Sequence, residues 1–203
     1  MKTTSLFVEL VVVGTGAALF VVLLLFTFFG DQPWLYQGIS KSDDVASIIP
    51  VLSLIYVLGI VVDKVAYRLF KSTEDHLRRD KFRVVSMESD KLKGYYDARH
   101  HLYTSPNSTA AIEAFEFGRS KIRICRGWTV NSVLIILALI GFMIFRRGWD
   151  SRFSVGIIAF GLLAWGARWS WGVATAVEFN WLNRFHNMSS ETPKTNVPAP
   201  PAE

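Results

Sequence analysis

Four blocks of this chain are too long and too apolar for the interior of a small water-soluble domain, and they dictate most of what the sequence can become. Leu6 to Phe29 is 24 residues with Glu9 as the only charge. Val45 to Val62 is uncharged for 18 residues, Gly127 to Phe145 for 19, and Phe153 to Val177 is apolar for 25 except at Arg168. At 1.5 Å per residue the first block alone makes a helix of about 36 Å, enough to cross a ~30 Å hydrocarbon layer with some tilt. The clustering matters more than the average, which is 51% hydrophobic over 203 residues with a mean hydropathy of +0.28. The expected fold class is all-α: a polytopic membrane protein with four transmembrane helices and a cytoplasmic helical hairpin between the second and third.

The corresponding division places transmembrane helices 1 and 2 in residues 1–70, at about 6–29 and 45–68. A cytoplasmic helical segment follows over 71–126, then helices 3 and 4 in 127–188, at about 127–146 and 153–178. The tail 189–203, with Pro193, Pro198, Pro200 and Pro201 and little apolar bulk, is expected to be disordered. The first block reads as a retained anchor, because it exceeds the 7 to 15 residues of a typical signal-peptide core and Phe28-Phe29-Gly30-Asp31 offers no small-x-small cleavage site.

Orientation follows from the basic residues, which stay on the cytoplasmic side. Asp63 to Arg126 carries 14 Lys and Arg against 9 Asp and Glu, whereas Gly30 to Asp44 has Lys41 alone. This points to a cytoplasmic middle segment, with both termini on the same side, in a cell (inner or plasma) membrane. Arg146 and Arg147, beside the third connection, oppose the trend.

The middle segment reads as helical. Lys64 to Ser86 lacks Pro and Gly, and Val65, Leu69, Leu77 and Phe82 suggest an amphipathic helix leaving the membrane; a second stretch runs from about Glu88 to Tyr103. After the Ser105-Pro106-Asn107-Ser108-Thr109 turn, with Ser108 or Thr109 as N-cap, a helix should continue unbroken into the third span. Ile112, Phe115, Ile122 and Cys125 recur along one face of it, and this cytoplasmic apolar stripe must be covered by the chain's own neighbours or by another copy. The basic runs Arg78 to Arg83 and Arg119 to Arg126 read as solvated or headgroup-facing charge.

Among candidate functional residues, Arg168 stands out, since an Arg inside a span costs at least ~2.5 kcal/mol and needs protein or water around it. Helix counting puts Glu9, Asp63, Asn131 and Arg168 at similar depth, so one intramembrane polar layer from all four spans is expected. Such a layer is either a structural salt bridge or an ion path. The glycines Gly14 and Gly16 of the first span and Gly156, Gly161, Gly166 and Gly172 of the fourth would permit close helix approach. Trp165, Trp169 and Trp171 can stack on Arg168 or anchor the interface.

No His-x-x-x-His or Cys-x-x-Cys spacing suggests a metal, and no nucleotide-binding, hydrolase or zinc-protease motif is present. No catalytic residue, metal or cofactor is expected, and the chain does not read as an enzyme. Cys125, the only cysteine, excludes an intrachain disulfide. The glycosylation patterns at Asn107 and Asn187 fall on the expected cytoplasmic side and are discounted. The expected partners are membrane lipids and either further copies of the chain or a protein partner; nucleic acid is not expected. The function expected is therefore an oligomeric or partner-binding membrane subunit acting through its cytoplasmic helices, with a channel, pore or membrane-permeabilising effector built on the polar layer as the alternative.

Overall fold

The computed structural model describes residues 3–30, 45–82, 91–105, 109–147 and 151–191. These residues form five helices and no strand: α1 (Thr3–Phe29), α2 (Val45–Lys81), α3 (Lys91–Thr104), α4 (Thr109–Phe142), which continues through a π-helical turn at Met143–Arg147, and α5 (Ser151–Glu191). All but α3 are long and apolar enough to cross a membrane, as a multi-pass membrane protein requires. At 37, 34 and 41 residues, α2, α4 and α5 reach about 50–60 Å, far more than a ~30 Å hydrocarbon layer. Each must therefore project beyond it.

They project at the same end, and there the fold closes. The spans are arranged in the order α2, α1, α4, α5, with α5 packed along α4. Helices α2 and α5 meet where Phe70 and Trp171 stand edge to face at 4.7 Å. Beyond that contact the extensions of α2, α4 and α5 gather α3 around a second core of Phe82, Tyr95, Ala98, Leu102, Phe115, Phe179 and Leu182. The expected cytoplasmic segment of 71–126 is thus incomplete: the C-terminal third of α5, with Phe179, Trp181, Leu182 and Phe185, supplies the missing apolar surface. A short α3 with two helix ends cannot bury enough area by itself.

Two levels of polar contact bracket the apolar stretch. At the α3 end, Glu9 of α1 meets Arg123 of α4, and Asp63 of α2 meets Arg126 of α4. At the far end the Arg146 Nε–H donates to the Thr27 carbonyl at 2.9 Å and a second Arg146 N–H donates to Phe28 O. From Glu9 to Phe28 along α1, and from Arg126 to Arg146 along α4, the rise is about 28–30 Å, the thickness of a hydrocarbon layer. Arg146 therefore caps the C-terminal carbonyls of α1, whose last turn carries no basic residue of its own. Gly30 completes this end with φ +72° and an N–H to the Phe26 carbonyl, the left-handed stop that only a glycine makes without strain.

Close approach, not bulk, joins α1 to α2. A methyl group on Gly14 would strike the Ile55 carbonyl, and one on Gly59 the Leu10 carbonyl. Two fourth-span glycines behave differently: a methyl group added at Gly161 or Gly166 would meet no neighbouring side chain or helix within 4 Å.

Candidate functional site

The buried face of α2 runs Val62, Ala66, Phe70, Glu74, Arg78, a strict four-residue ladder. Of the apolar residues that suggested an amphipathic helix here, Phe82 is buried, whereas Val65 and Leu69 are exposed. Their outward placement has a physical reason. At a membrane boundary an outward apolar side chain is tolerated, while inward carboxylates and guanidiniums of α2 and α4 can neutralise one another. Facing α2, the residues Arg119, Arg123 and Arg126 are spaced by four and three and so share one side of α4.

These two faces build a charged junction between the spans and the α3 body. Arg126 Nη2–H donates to Asp63 at 2.8 Å, and its Nη1 lies 3.9 Å from Glu74. Glu74 also binds Arg78 in a very short ion pair, and Arg78 reaches Asp75 at 3.3 Å. The Arg78 guanidinium lies over the rings of Tyr95 at 4.7 Å and Phe179 at 5.8 Å. Arg119 donates to the Tyr95 hydroxyl at 3.2 Å, and Arg123 stands 3.5 Å from Glu9. Removing such charges from water is costly, and only mutual pairing makes the arrangement tolerable. In their midst is a cavity of about 360 Å³ reached by Lys64, Arg99, Arg119, Arg123, Arg126 and Glu178.

The candidate residues distribute as follows. Glu9 and Asp63 both enter this junction, through arginines that the sequence reading had left to solvent or headgroups. That assignment fails for Arg78 and Arg126, which are buried, and agrees with Arg79, Lys81 and Lys121, which are exposed. Asn131 lies about 7 Å deeper, five residues along α4, where its side-chain N–H donates to the Val13 carbonyl at 2.7 Å. Arg168 is not brought into the layer. Phe142 packs on Phe153, and Gly118 lies against Glu178, so antiparallel α5 has Trp169 level with Arg126. The depth of Arg168 matches, but its side chain is on the outer face. It runs along α5 toward Gly172, with its guanidinium 4.6 Å from the Trp171 ring centroid and 5.2 Å from that of Phe70, and it makes no ion pair among the described residues.

The apolar stripe expected on the cytoplasmic side is interior to the fold. Phe115 is 2% exposed and Ile122 buried, while Ile112 packs on the second core. Exposed apolar rows remain on α2, with Leu54, Val61, Val65 and Leu69, and on α5. Val155, Ile158, Leu162, Trp165, Trp169, Val173 and Val177 are all exposed at intervals of three and four residues, and Trp165 stacks on Trp169. Among the described residues no group of three side chains is placed to hold a metal ion. No protein-family model matches the chain, and comparison with curated proteins and with solved structures gives no match either.

Proposed function

We propose that this chain is a non-catalytic assembly subunit of a cell membrane, oriented with the α3 body and both termini in the cytoplasm, that associates with further copies of itself through α5. The observation that carries this reading is the exposed apolar row on α5. It does not stop at the charged junction: Val173 and Val177 lie about 6 and 12 Å beyond the level of Trp169, and Val177 is 60% exposed. Lipid tails cover Leu162 but not Val177, whereas a second α5 covers both. The unoccupied space at Gly161 and Gly166 suits the same contact, because small residues let helices approach where van der Waals packing drives association. Arg146 bound to the end of α1 also removes one of the two charges that opposed this orientation.

A channel or membrane-permeabilising activity is the second reading, and Arg168 favours it, since its exposed charge lies on the flank of α5 beside the apolar row. A path within one chain has less support, because Val13, Ala17, Val130 and Ile135 fill the interior above the junction. The deciding measurement is the absolute mass of the particle in mild detergent, corrected for bound detergent. The expected result is a multiple of 22.9 kDa that Val177→Asp reduces to 22.9 kDa without unfolding the chain. A wild-type protein that is monomeric there, and that gives no Leu162→Cys disulfide dimer in native membranes in a Cys125→Ala background, overturns the proposal. Ion flux from liposomes holding the assembled protein, abolished by Arg168→Leu, would favour the second reading.

A further inference from the structure

The junction holds more positive charge than its own pairs consume. Lining the cavity are Lys64, Arg99, Arg119, Arg123 and Arg126 against Asp63, Glu74 and Glu178, five basic groups to three acidic ones. Arg126 is only 5% exposed, and its two carboxylate partners engage the Nη atoms alone, leaving Nε–H without an acceptor among the described residues. Arg99 and Arg119 line the cavity without forming a carboxylate ion pair among the described residues: Arg99 lies over the Tyr103 ring and Arg119 donates to the Tyr95 hydroxyl. Opposite them Glu178, 7% exposed, keeps Oε2 without a donor. A buried guanidinium N–H and a buried carboxylate oxygen, each without a hydrogen-bond partner and each on a residue that lines one cavity, are costly unless something completes them. The volume, about 360 Å³, lies within the ~300–1,000 Å³ range of small-molecule sites.

We propose that this cavity binds a phosphate monoester. Arg99, Arg119, Arg123 and Arg126 form its cationic wall, and Glu178 accepts a hydrogen bond from a hydroxyl on the same ligand. The excess of two positive charges matches a dianion, and guanidiniums from α3 and α4 suit the tetrahedral array of phosphate oxygens, which neutral donors engage more weakly. A carboxylate such as Glu178 repels a bare phosphate, so a ligand with a hydroxyl beside the ester fits and inorganic phosphate fits less well. Because the cavity lies where the spans meet the body, the ester has two possible sources: a free metabolite, or the headgroup of a lipid such as phosphatidic acid. The site belongs to one chain and does not depend on assembly.

The test uses the full-length protein in phosphatidylcholine nanodiscs, with glycerol 3-phosphate as the probe and thermal unfolding as the readout, since a ligand that binds only the folded state stabilises it in proportion to its occupancy. The expected result is a saturable rise in unfolding temperature. Arg99→Gln and Arg119→Gln should each weaken the apparent affinity about tenfold, as loss of a charge-assisted bond predicts, and Lys121→Gln, exposed on the outer side of α4, should not. A parallel arm replaces part of the phosphatidylcholine by phosphatidic acid with no soluble ester. Stabilisation in that arm alone, lost in the same two variants, assigns the site to a headgroup, and stabilisation by glycerol 3-phosphate alone assigns it to a free ester. No stabilisation in either arm, or stabilisation that both arginine variants retain in full, overturns the proposal.

Discussion

Glu74 and Arg78 are one helical turn apart on α2, both turn away from water, and each is stabilised by pairing with the other. Glu74→Gln should lower the unfolding free energy by about 3 kcal/mol, because it leaves Arg78 with Asp75 as its one carboxylate partner among the described residues and removes a partner of Arg126. The exposed Arg79→Gln, one position along, should change it by less than about 0.5 kcal/mol. Chemical denaturation in a fixed detergent compares the two, and equal effects would show that the junction is wetter than its geometry indicates. Arg168 reverses the expectation set by its position in the sequence. Exposed, and held by the rings of Phe70 and Trp171 without an ion pair among the described residues, it contributes a cation–π contact of about 0.5–2 kcal/mol. Arg168→Leu should therefore yield folded protein at near-normal abundance, measured by expression and monodispersity.

At the scale of helices, the chain uses glycine in two ways. Between α1 and α2 it permits backbone contact, so Gly14→Leu should force the pair apart at a cost of about 1–3 kcal/mol or more. A Cys pair placed across α1 and α2 should then lose its oxidative cross-link. On α5 it leaves space, so Gly161→Leu should spare the fold of a single chain and act only on association. The α3 body draws on both α4 and α5, and α3 itself packs mainly on α5. Phe115→Asp places a carboxylate in a site 2% exposed among Tyr103, Trp181 and the second core, and should open the body to proteolysis instead of dissociating intact copies. Intact, protease-resistant monomers from this variant would return Phe115 to an intermolecular role.

For the molecule as a whole, the proposed orientation is testable with an impermeant maleimide on right-side-out vesicles of a Cys125→Ala protein. Phe29→Cys should label from outside and Ser190→Cys only after permeabilisation; the opposite pattern inverts the topology and moves the charged cavity to the outer surface. The sequence by itself determined the spans, their number and the unbroken passage of α4 from Thr109 into the third of them. Block hydrophobicity and the absence of breakers are local properties, and a bilayer leaves a helix as the only open-chain solution. It also showed that Glu9, Asp63 and Asn131 are too polar to be left facing lipid. Only the tertiary structure decided their partners, since whether Arg126 is a headgroup contact or a buried ion-pair partner depends on a carboxylate 63 residues away. The same holds for the stripe of Ile112, Phe115 and Ile122. Its cover comes from the far end of α5, and one-dimensional periodicity marks that a face is apolar without saying what will lie against it.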